Sequence, residues 1–337
     1  MYTIKKYCIL VSIILFSLAP LSADETPGRY SFSITPLTGL LVGQSEEIVY
    51  KHSGSDKYLS QLLWDVKPLV YLGVAADFGP RDPFQGNGFI SATSIKFGLP
   101  FKTGIMEDRD WKYPDNQNLT NFSRHDAYAE KLNILTDLSA GYSWRLKDYL
   151  AINAFGEFSY MRFSWVARDG YYQYLTSDSY GNINPGQTWN ANTTPKVKIH
   201  GDGIRYVQNW LILAPGVSLK GRFNKLFSLE GNFCYSPLIY CADRDDHLVR
   251  NLIFWDYLYF GNYINAGGAF TFSPKSNLDL SLAVSYRYIS GARGKTFQED
   301  TKNTPGQIFQ SINDAGAGYS VLDIELAVKI RLYGKLE

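Results

Sequence analysis

After its first two dozen residues this 337-residue chain has no apolar run of the length a spanning helix needs, which excludes a helical membrane domain in the rest of the sequence. Cysteine is nearly absent. Of the three, Cys8 lies too early for a lipoprotein cysteine, and Cys234 and Cys241 sit seven residues apart on one strand-like segment. Extended, they would stand about 23 Å apart, too far for a disulfide. No Cys or His partner with ligand spacing lies near them, so no metal is expected. Methionine is just as scarce, and only four histidines occur: His52, His125, His200 and His247. Charge of either sign is not in excess, and a chain without a basic surplus has no electrostatic footprint for nucleic acid.

What is present is a leader and an abundance of aromatics. Lys5 and Lys6, an apolar stretch from Tyr7 to Leu18 and Leu21-Ser22-Ala23 form a secretory signal peptide over 1–23. Its removal takes two lysines and no acid, leaving 31 basic and 32 acidic residues on 24–337, read as one domain. Tyrosine, phenylalanine and tryptophan make up 15% of the chain, and glycine is frequent. That composition fits a transmembrane β-barrel.

Alternation supports it. Leu322, Ile324, Leu326, Val328, Ile330 and Leu332 interleave with Asp323, Glu325, Ala327, Lys329 and Arg331, and 277–288 and 227–235 repeat the pattern. Runs of ten or more residues suit a tilted membrane span better than the shorter strands of a soluble sandwich. Ten strands are expected, centred on 30–48, 60–78, 89–104, 129–146, 150–170, 203–222, 227–242, 259–273, 278–295 and 318–333. An even number closes an antiparallel barrel without edges. Short turns at 147–149, 223–226 and 274–276 alternate with long polar loops at 105–127, 174–200, 243–256 and 298–316, and the turn at 79–88 is long for its side.

Two acidic clusters fall at strand ends. In Asp243-Arg244-Asp245-Asp246-His247, residues two apart share a face, so Asp245 can orient the imidazole of His247 and leave its other nitrogen to take a proton from water. In Glu107-Asp108-Arg109-Asp110-Trp111, Asp108 and Asp110 share a face and perturb each other's ionisation. With Phe97 and Leu99 facing out, Asp108 and Asp110 take the parity of Lys96 and Lys102 and should face the lumen. Residues 243, 245 and 247 share parity with the outward Phe227 to Tyr235, so an added residue near Pro237 is needed to turn them inward. A solvated rim without catalysis is the alternative reading of both clusters.

Six segments carry a resemblance to a known family: Gly43 to Tyr50, Ser60 to Trp64, Asp108-Arg109-Asp110-Trp111, Ser123-Arg124-His125, Phe163 to Gly170, and Asp243 to His247. In order and spacing they resemble the omptins, ten-stranded outer-membrane proteases with catalytic groups at the extracellular rim. The resemblance implies an endopeptidase in which Asp108 and Asp110 form an acid pair, Asp245 and His247 a dyad, and water between His247 and Asp108 is the nucleophile, with no metal and no acyl-enzyme. It implies a supporting role for Ser123 and His125, and an acidic pocket of Glu47 and Asp243 for Arg or Lys before the cut. Asn121 stands where the family carries an acid for the residue after the cut. Of the family's basic lipopolysaccharide-binding cluster only Arg162 remains, beside Phe158, Tyr160 and Asn209, so a lipid requirement is left open. The expected partners are peptides or proteins with basic residues and outer-membrane lipid, on a monomer without a cofactor. The competing reading is a non-catalytic porin-like or adhesin barrel.

Overall fold

A computed structural model describes residues 30–113, 118–130, 132–176 and 187–332; the leader expected at 1–23 lies outside them. Among the described residues there are fourteen strands and no helix: β1 (Tyr30–Tyr50), β2 (Tyr58–Pro80), β3 (Gly88–Gly98), β4 (Lys102–Asp110), β5 (Asn121–Ala129), β6 (Asn133–Lys147), β7 (Leu150–Tyr174), β8 (Val197–Arg222), β9 (Phe227–Ser236), β10 (Ile239–His247), β11 (Leu252–Tyr259), β12 (Asn262–Lys275), β13 (Leu278–Asp300) and β14 (Phe309–Leu332). All pairings are antiparallel. β2 runs beside β3 and β4 in succession, β7 beside β6 and β5, β8 beside β9 and β10, and β13 beside β12 and β11. The fourteen segments are therefore ten staves, four of them broken. β1 pairs with β14 from Phe32↔Leu332 to Val49↔Ala315 and closes the ring.

The four breaks lie level with one another. Gly98↔Asn133 sets the β3/β4 break beside the β5/β6 break, and Ser236↔Tyr263 sets the β9/β10 break beside that of β11/β12. Register shifts at Leu41/Gly43 and Ile289/Ala292 continue the same collar. Each break has a local cause. Pro100 and Pro237 cannot donate to a ladder, and Leu132 and Phe260 adopt positive φ values of 68° and 57°.

Below the collar the staves alternate between lipid and lumen: Leu213, Val217 and Leu219 are exposed while Ile212, Ala214 and Ser218 are buried. The lumen is filled rather than open. Lys96 pairs with Asp323 at 2.8 Å and Glu325 at 2.7 Å, and the buried Arg287 pairs with Asp137 at 2.6 Å. At the collar these give way to an aromatic floor in which Trp64 stacks on Trp165 (5.9 Å) and Tyr206 (5.6 Å), and Phe163 on Trp165 (5.4 Å) and Tyr319 (5.0 Å). Above that floor the staves continue as a rim section.

Two expectations are corrected here. The strands run farther than the polar sequence suggests, so 105–110, 121–127, 243–247 and 252–256 are ladder, not loop, and the hairpin joining β10 to β11 turns through 248–251 alone. Lys102 does not share the lumenal face of Lys96: its side chain is 49% exposed and pairs outward with Asp126 at 2.7 Å. The chain changes face at the β3/β4 break and again at Gly104, a bulge with φ 132° where any Cβ would meet Asp65 at 2.5 Å. The two changes cancel, so Asp108 faces inward all the same. On the other wall, Pro237 and Leu238 reverse the face once: Leu229, Phe233 and Tyr235 point out, while Cys241, Asp243, Asp245 and His247 are buried. Cys234 and Cys241, one on each side of that break, are free thiols.

Candidate active site

The rim section brings two acidic walls to face each other. β4 and β10 occupy opposite sides of the ring, with β5, β7 and β8 between them on one side and β11, β13, β14, β1 and β2 on the other. Both ladders remain regular to their last residues, so the side chains they carry are held by backbone pairing instead of by loop conformation.

On the β4 wall, Asp108 accepts a hydrogen bond from Ser60 Oγ of β2 at 3.2 Å. Burial above the aromatic floor, then the neighbouring Asp110 charge, push its carboxyl well above the usual range; Arg250 opposes them. On the β10 wall, Asp245 Oδ2 lies 2.6 Å from His247 Nε2. That partner places the imidazole proton on Nε2 and leaves Nδ1 as the acceptor. The ring is braced edge-on by Phe254, 5.4 Å away on β11. Nδ1 is engaged by the chain itself: Arg250, from the 248–251 turn, donates Nε–H to it at 3.1 Å and makes a second, shorter contact through Nη2. The guanidinium that rests on His247 also acts on the charge of Asp108, so it stands between the two walls.

Ser123 and His125 of β5 lie beside β4, with Ser123 opposite Asp108 in the ladder. His125 Nδ1 donates to the Asp169 carbonyl at 2.5 Å and Nε2 accepts from Ser123 Oγ at 3.1 Å. Burial holds this imidazole below its ordinary value, so it is neutral. The Asp169 carbonyl is aimed by a left-handed pair, Asp169 at φ 55° and Gly170 at φ 105°, where a Cβ on residue 170 would collide with the Arg124 carbonyl. Tyr174 lies beside Ser123, and its hydroxyl is raised by burial and by Asp108 and Asp110.

Next to the dyad lies a purely acidic recess. Glu47 of β1 and Asp243 of β10 are buried, and Tyr206 donates its hydroxyl to Asp243 Oδ2 at 3.0 Å. Both carboxyls are raised well above their ordinary range, first by burial; Asp245 is the next cause for Glu47, and Asp256 for Asp243. Glu47 Oε2, Asp243 Oδ1, Asp245 Oδ1 and Asp256 Oδ1 are buried with no hydrogen-bond partner. Asn121, opposite Asp110 and also buried, borders the β4 end of the cleft. Arg162 is elsewhere: it is on the outer face of β7 at the collar, bonded to Asn209 Oδ1 at 2.9 Å. Among the described residues no group of three or more His, Cys, Asp or Glu side chains is arranged to hold a metal ion.

The structure thus gathers Asp108, Asp110, Asp245, His247, Glu47, Asp243, Ser123 and His125 into one cleft and leaves Arg162 outside it. Sequence reasoning missed Asp256, Arg250, Tyr174 and Tyr206. Asp256 offers one signal in the sequence, its alternation with Trp255 and Tyr257, but it falls within the loop expected at 243–256. Comparison with known proteins bears on the family and the fold. The profile of the Omptin family matches residues 28–332. The plasminogen activator of Yersinia pestis is 28% identical over 298 residues, covering 86% of this chain and 85% of that protein. The outer membrane protease OmpP of Escherichia coli (strain K12) is 28% identical over 267 residues, covering 77% and 78%. The crystal structure of outer membrane protease OmpT from Escherichia coli superposes with a TM-score of 0.72 at 18% identity, over 90% of this chain and 97% of that one.

Proposed function

This chain belongs to the omptin family and is an outer-membrane protease, and from that premise we propose that it cuts peptide bonds after Arg or Lys with a water molecule activated by Asp245 and His247. One observation supports this most: the hydrogen-bonded Asp245–His247 pair and the Asp108–Asp110 pair occupy opposite walls of one cleft above a buried aromatic floor. Asp245 fixes the imidazole with its proton on Nε2, so Nδ1 is the base. A water held between Nδ1 and Asp108 gives up a proton to Nδ1 as its oxygen bonds to the scissile carbonyl carbon. The tetrahedral intermediate then collapses, the C–N bond breaks and the imidazolium returns that proton to the leaving amine. Asp108, buried and with its carboxyl raised by burial and by the neighbouring Asp110 charge, positions the water together with Asp110. Arg250 must leave Nδ1 before this can happen, and its short exposed turn gives it somewhere to go.

Ser123, tied to His125 and beside Tyr174, supports the β4 wall and is not a nucleophile. Glu47 and Asp243 take the cationic side chain before the cut. Neutral Asn121 makes no ion pair, so small or apolar residues after the cut are accepted about as well as basic ones. Arg162 is the proposed contact for lipid phosphate, and no metal takes part.

The test uses the purified barrel in detergent, with and without lipopolysaccharide, on a peptide library. Asp108→Ala, Asp110→Ala, Asp245→Ala and His247→Ala should each stay folded and lose several orders of magnitude in rate, since they act as one unit; Ser123→Ala should keep far more. EDTA should leave the rate unchanged. Wild-type rates in His247→Ala would sink the mechanism, and cleavage indifferent to Arg or Lys would sink the pocket.

A further inference from the structure

The acidic recess holds a third carboxylate. Asp256 of β11 stands directly opposite Asp243 of β10 in the ladder, and both are buried. Their carboxyls interact across the ladder, each acting on the other's ionisation. Two ionised carboxylates buried side by side repel, and one shared proton relieves that repulsion. Asp256 stands opposite Thr296 of β13 in the ladder, and Asp243 accepts a hydrogen bond from Tyr206 of β8. After that bond, Glu47 Oε2, Asp243 Oδ1 and Asp256 Oδ1 remain buried and unpartnered, one on each of three carboxylates from three staves. Buried acceptors without donors are costly, and a ligand carrying N–H donors and positive charge removes the cost.

On the reading that this recess receives the side chain before the cut, we propose that Asp256 is a third specificity-determining carboxylate, and that an entering lysine or arginine displaces the proton held between Asp243 and Asp256. The groups facing Asp256 are Cys241, Asp243 and Asp245 from β10, Glu47 from β1 and the uncharged Thr296 from β13, with Tyr206 of β8 on the far side of Asp243. The nearby cations of β13 are committed elsewhere: Arg293 and Lys295 bind Asp314 at 3.0 and 2.6 Å. Among the described residues no side-chain cation pairs with Glu47, Asp243 or Asp256, so a substrate cation competes there with a proton. Burial raises the Asp256 carboxyl to about 7, which places the exchange near neutral pH. Below that range the proton competes with substrate; above it the site is a bare anion and binds the cation more tightly.

The readout is the ratio of kcat/KM for a peptide with Lys before the bond to that for its Gln twin, followed from about pH 5.5 to 8.5. Ionisations of the catalytic groups act on both peptides and cancel in the ratio. In the wild-type barrel the ratio should rise about tenfold across the window. In Asp256→Asn it should be about tenfold lower at the alkaline end and flat with pH, with the loss falling mainly on KM. A wild-type ratio that favours Lys but does not change with pH overturns the proton exchange, and this needs no variant to fold. An Asp256→Asn protein with the wild-type ratio overturns the role of Asp256. A wild-type ratio near one would instead overturn the underlying pocket reading.

Discussion

A guanidinium rests on the nitrogen of His247 that has to accept a proton, and it comes from the same chain. Arg250 neutralises part of the charge that Asp108, Asp110 and Asp245 accumulate, which suits an empty cleft, yet it blocks the base. A hydrogen bond from a charged donor contributes about 1.5–3 kcal/mol when shielded, and less here because Arg250 is largely exposed. Arg250→Ala should therefore raise kcat/KM on short peptides by about 3- to 10-fold. Steady-state kinetics decides it: a tenfold fall would mean that the guanidinium serves the transition state and is not a resting cap.

The β10–β11 hairpin carries three buried carboxylates, Asp243, Asp245 and Asp256, and its stability should depend on pH in a defined direction. Asp243 and Asp256 have carboxyls raised by burial, so between the ordinary carboxylate range and about 7 the folded hairpin holds more protons than the unfolded chain. Stability is then greatest on the acid side and is lost as pH rises through the folded value. Asp256→Asn, which cannot ionise, should lose less thermal stability than wild type between about pH 5 and 8; equal losses in a melting series would contradict the assignment. How much of this element could be read beforehand follows from its physics. Alternation reveals strands wherever one face meets lipid, so β13 and β14 are plain in the sequence. Above the collar β4, β5 and β10 carry polar residues on both faces, and the same reading turns them into loops; β11, apolar but only eight residues long, is taken into the same loop. The inward turn at Pro237 could be anticipated because parity alone demanded it. The double change of face around Pro100 and Gly104 could not, because two reversals leave no net trace in parity and only Lys102 records them. Asp256 escaped notice because its significance is its partner across the hairpin, and pairing is not written along one strand.

At the scale of the whole barrel, the filled lumen acts as the structural core. Arg287 and Asp137 reach across from β13 to β6, and both are shielded from water by the staves around them. Removing one partner leaves the other charge buried, a change that costs about 3–5 kcal/mol, whereas replacing both with apolar residues of similar volume is close to neutral. Arg287→Ala should lower the temperature at which the detergent-solubilised barrel shifts from folded to unfolded migration on a gel, and Arg287→Met combined with Asp137→Leu should restore much of it. A single variant melting with the wild type would show that the lumen contributes little.

The collar has one more implication. Below it, every residue obeys a two-letter grammar set by lipid on one side and packed side chains on the other, and a one-residue slip would turn a stave inside out. A site spelled in the same frame would have its every insertion or deletion transmitted to the bilayer contacts. Breaks at the collar punctuate the staves, so the rim begins a new sentence whose phase is reset locally. Substrate preference can then be rewritten above the punctuation while the membrane text below stays legible to the machinery that inserts it.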